Sequence, residues 1–404
     1  MISTRRPLAQ VSELRPWRFA ALLMAATLLL TACATAPRGE ASPQSSASAA
    51  PIGFSPLVRS LGVEGRVAGR EAAENIARLR ASVTDGGFDI LAISGGGSSG
   101  AYSAGVLTGL SRGGMRPRYE VVTGVSAGAL IAPFAFLGPD WDPQLTEAFV
   151  GGRSQELLQS RGLGALFKPG LNSGKPLREL VDHFITGDLV AAVAEEARSG
   201  RVLLVATTDL DRQETVLWDM GSIAQRGGAE ALTLFRDVLV ASASVPGLFP
   251  PVMIHVGSQA GSYDEMHVDG GVTTPFFIAP EITLLSPGQL TDLRSANVYV
   301  LINAQLRESP RTTPQATIPI VARSFSTLML HMTRAAIAGT SAFAARQDMN
   351  FHLAAIPAEY LDQGWLDFDP ARMQALFDLG EARAASGQLW RSAEQELARS
   401  AGGD

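Results

Sequence analysis

Three short stretches carry the residue types that covalent chemistry needs. The first, "YEVVTGVSAGALIAPFAF" at residues 119–136, holds Gly124-Val125-Ser126-Ala127-Gly128 between an apolar strand-like run and an apolar helix-like run. A G-x-S-x-G in that setting fits a nucleophile elbow, whose glycines permit a sharp strand-to-helix turn and leave the serine hydroxyl projecting. On the pentapeptide alone, a small-residue turn with a helix-capping serine is an equal reading. The second stretch, "FDILAISGGGSSGAYSAGVL" at residues 88–107, holds Gly95-Gly96-Gly97-Ser98-Ser99-Gly100. It satisfies G-x-G-x-x-G, and amides at the start of a helix attract negative charge, either a cofactor pyrophosphate or a transient oxyanion. The third, "MHVDGGVTTPFF" at residues 266–277, offers Asp269, then Gly270 and Gly271, with His267 two positions earlier and so on the same strand face.

Whether these turns meet depends on the elements that carry them. Beyond residue 54 the chain alternates strand and helix patterns, which implies an α/β fold with a parallel sheet covered by helices. Strands are expected at Phe88–Ser94, Tyr119–Gly124, Arg201–Thr208, Glu214–Trp218, His267–Asp269, Asn297–Asn303 and Asn350–Ile356. Several are unbroken apolar runs, as in strands buried on both faces. Helices are expected at Glu71–Arg80, Ala101–Ser111, Ala127–Leu137, Pro176–Ile185 and Ala229–Ser242, with a broken one over Ile318–Asp348 and a last one over Pro370–Leu397. Asp369 and Pro370 suit the N-cap and first position of that last helix. Residues 138–175, rich in Gly, Pro and single aromatics, read as an irregular cap. The first two strands and the helix between them make one right-handed βαβ unit, so the strands lie parallel and both following turns open on one sheet edge, where α/β folds bind ligands. The amides of Gly95–Gly97 and the hydroxyl of Ser126 then face one small volume.

With these residues in place the chain resembles the patatin-like phospholipase family. The resemblance rests on the glycine loop, the elbow about 30 residues later, the distant Asp-Gly-Gly, and a fourth block, Ala241-Ser242-Ala243-Ser244-Val245-Pro246-Gly247-Leu248-Phe249-Pro250-Pro251. It covers residues 88–280. It implies a three-layer α/β/α sandwich with a mainly parallel sheet, and a lipid acyl hydrolase with a Ser–Asp dyad and no histidine. By the same resemblance Ser126 is the nucleophile, Asp269 the general base, and Gly95, Gly96 and Gly97 the oxyanion donors. Gly100, Gly124, Gly128, Gly270 and Gly271 are the remaining motif positions. The substrate class implied is a lipid ester, a phospholipid or lysophospholipid. A free aspartate is too acidic to act as a base at neutral pH, so burial is expected to raise Asp269. One departure stands out: many members place Arg or Lys inside the glycine loop, where this chain has Ser98 and Ser99.

The chain of 404 residues is 46% hydrophobic and 18% charged, which suits a globular fold with a sizeable core. A net charge of −6 without a long basic run excludes nucleic acid as an expected partner. Residues 1–32 have the three parts of an export signal: a basic region ending at Arg18, an apolar run from Phe19 to Leu30, and small residues. The run falls short of the roughly 20 residues of a membrane span. It ends in Leu30-Thr31-Ala32-Cys33, which resembles the lipobox of bacterial lipoproteins, whose cysteine is diacylated and becomes the mature N-terminus. Ala34 follows where an Asp would retain the protein at the inner membrane, so the resemblance implies a lipid anchor on the outer membrane of a bacterial envelope. Residues 33–53 are mostly Ala, Ser and Pro and read as a flexible tether, with residues 54–404 as one catalytic domain. Cys33 is the only cysteine, which excludes disulfides within the chain and cysteine-built metal sites.

Three rivals frame the expectation. A dinucleotide-dependent oxidoreductase needs an acidic residue at the end of the second strand, where this chain has Gly124-Val125-Ser126; no nucleotide cofactor is expected. An α/β-hydrolase triad would combine Ser126 with Asp209 or Asp211 and with His267. A catalytically idle envelope lipoprotein would keep the fold for structure or for a partner. Asp209, Asp211 and Asp219 lack the oxygen-rich spacing of a calcium loop, and no metal is expected.

Overall fold

The computed structural model describes residues 49–61, 79, 81–83, 87–153, 157, 173–258, 261–279, 294–307, 310, 312–360, 364 and 366–401. The export signal, Cys33, the tether up to residue 48, and most of the helix expected over Glu71–Arg80 lie outside the described residues. The last part of the expected tether is not a tether. Ala49 and Ala50 are buried, and the two-residue strand β1 (Ala50–Pro51) pairs antiparallel with a neighbour, Ala50 opposite Gly257. Small residues are what such close sheet contact accepts.

The remaining strands are β2 (Arg59–Leu61), β3 (Asp89–Ile93), β4 (Val121–Val125), β5 (Val202–Asp209), β6 (Glu214–Asp219), β7 (Val252–Ser258), β8 (Gly261–Asp269), β9 (Asn297–Ile302) and β10 (Asn350–Ala355). They form one sheet in the order β1-β7-β8-β5-β4-β3-β9-β10, with β6 paired to β5 and β2. From β10 to β5 every neighbouring pair is parallel. Beyond β5 the pairs β5–β8, β8–β7 and β7–β1 are all antiparallel. The sheet is therefore mixed, and its parallel half carries the turns of interest.

The helices are α1 (Gly100–Arg112), α2 (Ala127–Leu137), α3 (Asp142–Val150), α4 (Lys175–Phe184), α5 (Gly187–Arg198), α6 (Met220–Arg226), α7 (Gly228–Ser242), α8 (Thr317–Arg346), α9 (Pro370–Ala385) and α10 (Ala393–Ala401). Alternate strand residues feed two cores, as the pleat requires. Leu91 and Ile93 of β3 pack with residues of α1, α2, α7 and α9, whereas Ile90 and Ala92 pack with Ile337 and Phe343 of α8 and Ala393 of α10. Helices thus cover both faces, and the layers are α/β/α.

Two helix expectations change. The segment 317–346 is one unbroken helix, because Pro319 falls in its first turn, where backbone N–H groups lack intrahelical partners anyway. The segment 370–397 is two helices. Between them Arg391 exchanges backbone hydrogen bonds with Leu353 of β10, and no helix survives at a residue paired to a sheet. Helix α3 also lies inside the stretch expected to be irregular.

Candidate active site

The register of β5 brings the two candidate residues together. One edge of β5, over residues 204–209, is taken by β6. Strands β4 and β8 therefore share the other edge and approach each other from opposite directions. β4 ends with Val125 opposite Ala206, and β8 ends with Asp269 opposite Thr207. The residue after Val125 is Ser126, so the strands meet head to head at Ser126 and Asp269. Ser126 Oγ donates to Asp269 Oδ2 at 2.6 Å.

Each partner is held independently of the other. Ser126 has φ 56° and ψ −124°, a backbone state that costs a non-glycine residue on the order of 1–3 kcal/mol and persists only when its surroundings impose it. The imposition is visible on both sides. A Cβ on Gly128 would stand 2.2 Å from the carbonyl oxygen of Ile93, so only glycine lets α2 start this close to β3. Ser242 Oγ accepts the Ser126 N–H at 3.0 Å and donates to the Ala206 carbonyl at 2.7 Å. Asp269 has its N–H on the Ser244 carbonyl at 3.0 Å, and its Oδ1 accepts from Gly271 N at 2.7 Å. Gly270 and Gly271 form the short helical turn that presents that amide. The block 241–251 thus has a physical role: Ser242 fixes the serine and Ser244 fixes the aspartate. Sequence reading placed these serines in a motif without assigning them partners.

Asp269 is buried, and desolvation pushes its carboxyl up to about 7, against the opposing pull of the hydrogen bonds from Ser126 and Gly271. No cation touches it among the described residues. An aspartate so placed is a usable base near neutral pH.

The glycine loop lies against the serine, with the Cβ position of Gly95 3.0 Å from Ser126 Cβ. One expectation is corrected here. The Gly95 N–H donates to the Pro275 carbonyl at 3.3 Å, so it is not an open anion donor. Gly96 and Gly97, with positive φ of 154° and 55°, lead into α1, and no acceptor takes their N–H groups among the described residues. A Cβ on Gly96 would stand 2.3 Å from the Asn303 carbonyl oxygen. Asn303 clamps this loop: its N–H reaches Ser94 Oγ at 2.9 Å, its Nδ2 reaches the Ser94 carbonyl at 2.9 Å, and its Oδ1 accepts from Ser103 N at 3.2 Å. The sequence showed Asn303 only as the last residue of a strand. Gly100 opens α1, and Gly124 precedes the elbow at the end of β4.

Two cavities meet at Ser126 and Gly97. The larger, about 230 Å³, is lined by Asn303, Arg307, Arg323, Met329, His331 and Tyr360 among others, and Asp269 is its one carboxylate among the described residues. The smaller, about 70 Å³, is almost wholly apolar, with Leu130, Phe134, Phe149, Leu177, Phe184 and Phe249 in its wall.

His267 does not join this site. Its Nδ1 lies 2.9 Å from Thr207 Oγ1 and its Nε2 lies 3.2 Å from Glu265 Oε2. Asp219 caps α6 by accepting from Ser222 N at 2.9 Å, and Asp209 Oδ1 accepts from Asp211 N at 2.9 Å within a turn. Asp209 and Asp219 thus hold local backbone, whereas Asp211 Oδ2 accepts from Met266 N of β8 at 3.4 Å. Asp209, Glu265 and His267 are instead gathered in the interior with ligand atoms within 4.8 Å of one another. There Arg59 donates to both Glu265 oxygens, so a guanidinium supplies the cation.

Comparison with known proteins gives one family match: residues 91–280 fit the model of the family described as patatin-like phospholipase. No curated protein matches the chain. Among solved structures, VipD from Legionella pneumophila is similar at 12% identity and a TM-score of 0.40, over 75% of this chain and 67% of that one.

Proposed function

We propose that the chain, whose residues 91–280 match the patatin-like phospholipase family model, is a lipid acyl hydrolase that cleaves the carboxylic esters of phosphate-bearing lipids through Ser126 and Asp269. The observation that carries the reading is the 2.6 Å hydrogen bond from Ser126 Oγ to a buried Asp269 whose carboxyl is pushed up to about 7. Asp269 Oδ2 takes the Ser126 proton as Oγ attacks the ester carbonyl carbon. The oxyanion forms against the N–H groups of Gly96 and Gly97, where losing one donor typically costs about 2.7–4 kcal/mol. Collapse breaks the ester bond, the leaving alcohol takes the proton from Asp269, and the acyl group stays on Ser126. Water then gives its proton to Asp269 as it attacks the acyl carbon, and Asp269 passes that proton to Ser126 Oγ as the acyl bond breaks and the acid leaves.

The two cavities support a division of the substrate. The apolar one suits an acyl chain. The larger one suits the head group: Arg307 and Arg323 line it, as does the glycine loop, which has serines where relatives often place a cation. On this reading the phosphate is met by guanidiniums from another part of the fold. Arg307→Ala with Arg323→Ala should then raise KM for a lysophospholipid about tenfold or more, in line with charge-assisted phosphate contacts, and spare a neutral monoacylglycerol. For location, we propose that Cys33 is acylated and tethers the domain to the bacterial outer membrane. Palmitate labelling that survives Cys33→Ser would end that reading.

The decisive experiment is active-site labelling with a fluorophosphonate. Wild type should label and Ser126→Ala should not, while Asp269→Asn should label slowly. Label retained in Ser126→Ala refutes the assignment. Absence of labelling and of lipid turnover in wild type supports the idle lipoprotein instead.

A further inference from the structure

Helix α8 leads two different lives along its length. Its C-terminal half is core: Ile337, Phe343 and Ala344 are at most 2% exposed and pack under the sheet beside β9 and β10. Its N-terminal half stands over the larger cavity. Arg323, Ser326, Met329, Leu330 and Thr333 line that cavity, and the Met329 methyl reaches within 3.6 Å of the Cβ position on Gly271, next to the catalytic turn. At 100° per residue, Ile320, Val321, Ser324 and Leu328 fall on one arc of about 100°, which Phe325 and Thr327 flank and which His331, a turn further on, carries into the cavity wall. Ile320 is 49%, Val321 61% and Leu328 55% exposed, so three of the most exposed large apolar side chains described lie within nine residues of one helix.

The charge pattern is as unusual as the exposure. From Ser309 to Gln347 the chain has no Asp or Glu, although its net charge is −6, and this stretch holds four arginines. A membrane of anionic lipid repels the rest of the molecule and has no carboxylate to repel here. No helix among the described residues is long and apolar enough to cross a membrane. An apolar face without acids, beside the mouth of a cavity, suits a helix lying in the interface.

We propose that the outer face of residues 317–332 seats the protein on a phospholipid bilayer, with Ile320, Val321 and Leu328 among the lipids and the cavity mouth over the surface from which substrate rises. This deepens the lipid-ester reading and rests on it for the identity of what enters. The occupant follows from continuity, because the turns of helix that show this face also wall the cavity holding Ser126.

The test uses the full chain with Cys33→Ser, which removes any acyl anchor and the only native thiol. A polarity-sensitive dye is placed at Ser324→Cys and, as a control, at Ser199→Cys, both exposed positions. On adding phosphatidylcholine–phosphatidylglycerol vesicles, the dye at 324 should shift to the blue and lose access to aqueous iodide, and the dye at 199 should change in neither respect. The same measurement in a Ser126→Ala background needs no turnover, so it separates failure of this proposal from failure of the hydrolase reading. Combined Ile320→Ser, Val321→Ser and Leu328→Ser should lower hydrolysis of vesicle lipid about tenfold or more, as lost apolar insertion dictates, and leave a water-soluble short-chain ester within twofold. A dye at 324 that stays open to iodide overturns the proposal. So does equal loss on both substrates. Protection that needs only higher protein concentration, without vesicles, also overturns it and assigns the face to a second copy of the chain.

Discussion

Strand β8 ends in two buried carboxylates that physical chemistry treats in opposite ways. Asp269 and Glu265 lie four residues apart, and each is less than 5% exposed. Burial raises both. At Asp269 only neutral hydrogen bonds oppose it, and the carboxyl settles at about 7. At Glu265 burial is outweighed by hydrogen bonds from His267 and Arg59 and by the guanidinium charge, and the carboxyl falls to about 2. One strand therefore supplies a group that can exchange a proton near neutrality and another that stays ionised. Depth does not tell a base from a staple. The presence of a cation does.

The largest effect that tests this contrast is on turnover. Asp269→Asn and Ser126→Ala should each lower kcat/KM for a soluble ester by about 10³-fold or more, as for members of a hydrolytic dyad or triad. Glu265→Gln should stay within about tenfold, because its carboxylate touches no reacting atom. A comparable loss from Glu265→Gln in properly folded protein would erase the distinction. In wild type, kcat/KM should rise with pH along a limb centred at about 7, where Asp269 loses its proton. A limb centred near 4 would mean that Asp269 is an ordinary carboxylate.

The second effect is on stability, and the two residues should give opposite signs. Removing Glu265 leaves Arg59 buried without its partner, which costs about 3–5 kcal/mol. The Glu265 contribution is present above the unfolded glutamate value and is lost as pH falls through about 2. Asp269 runs the other way. Its folded value lies above its unfolded one, so the native state holds the extra proton between about 3.9 and 7, and stability falls as pH rises through that window. Asp269→Asn should therefore be more stable than wild type at pH 8, by on the order of 1–4 kcal/mol, and should lose that slope. Urea unfolding of both variants at pH 4 and pH 8 decides the matter.

Much of the site was legible because its constraints are local. A serine at an elbow needs close-packed glycine neighbours, and Gly124 and Gly128 announce it. An Asp before two glycines presents its carboxylate to the turn amide that follows. What escaped reading depends on partners distant in sequence. Gly95 looks like its two neighbours in the glycine loop, yet its N–H is taken by Pro275, and Asn303 clamps that loop from the end of β9. Arg59 meets Glu265 across 206 residues of chain. Strand β7 was missed because His255 and Ser258 interrupt its apolar residues near the edge of the sheet. Helix α8 was expected to break, but its Pro319 lies in the first turn, where a proline removes no hydrogen bond.

The smallest effect is the sharpest discriminator, because it concerns the residue that sits between the two carboxylates. His267 shares the strand face of both and has the side chain that a serine hydrolase most often uses as its base. Its geometry says otherwise. Thr207 Oγ1, which also accepts from Trp218 Nε1 at 2.8 Å, holds one ring nitrogen, and Glu265 holds the other. Neither nitrogen is turned to Ser126, whose hydroxyl is already on Asp269. His267→Gln keeps a donor for Glu265 and a polar atom for Thr207, so kcat/KM should stay within about threefold of wild type. The melting temperature should fall by the few degrees that about 1 kcal/mol of strained hydrogen bonding produces in a large domain. A triad histidine would lose about 10⁴-fold or more under the same change. A loss of that size at normal stability would make His267 the base and leave Asp269, raised carboxyl and all, as its support.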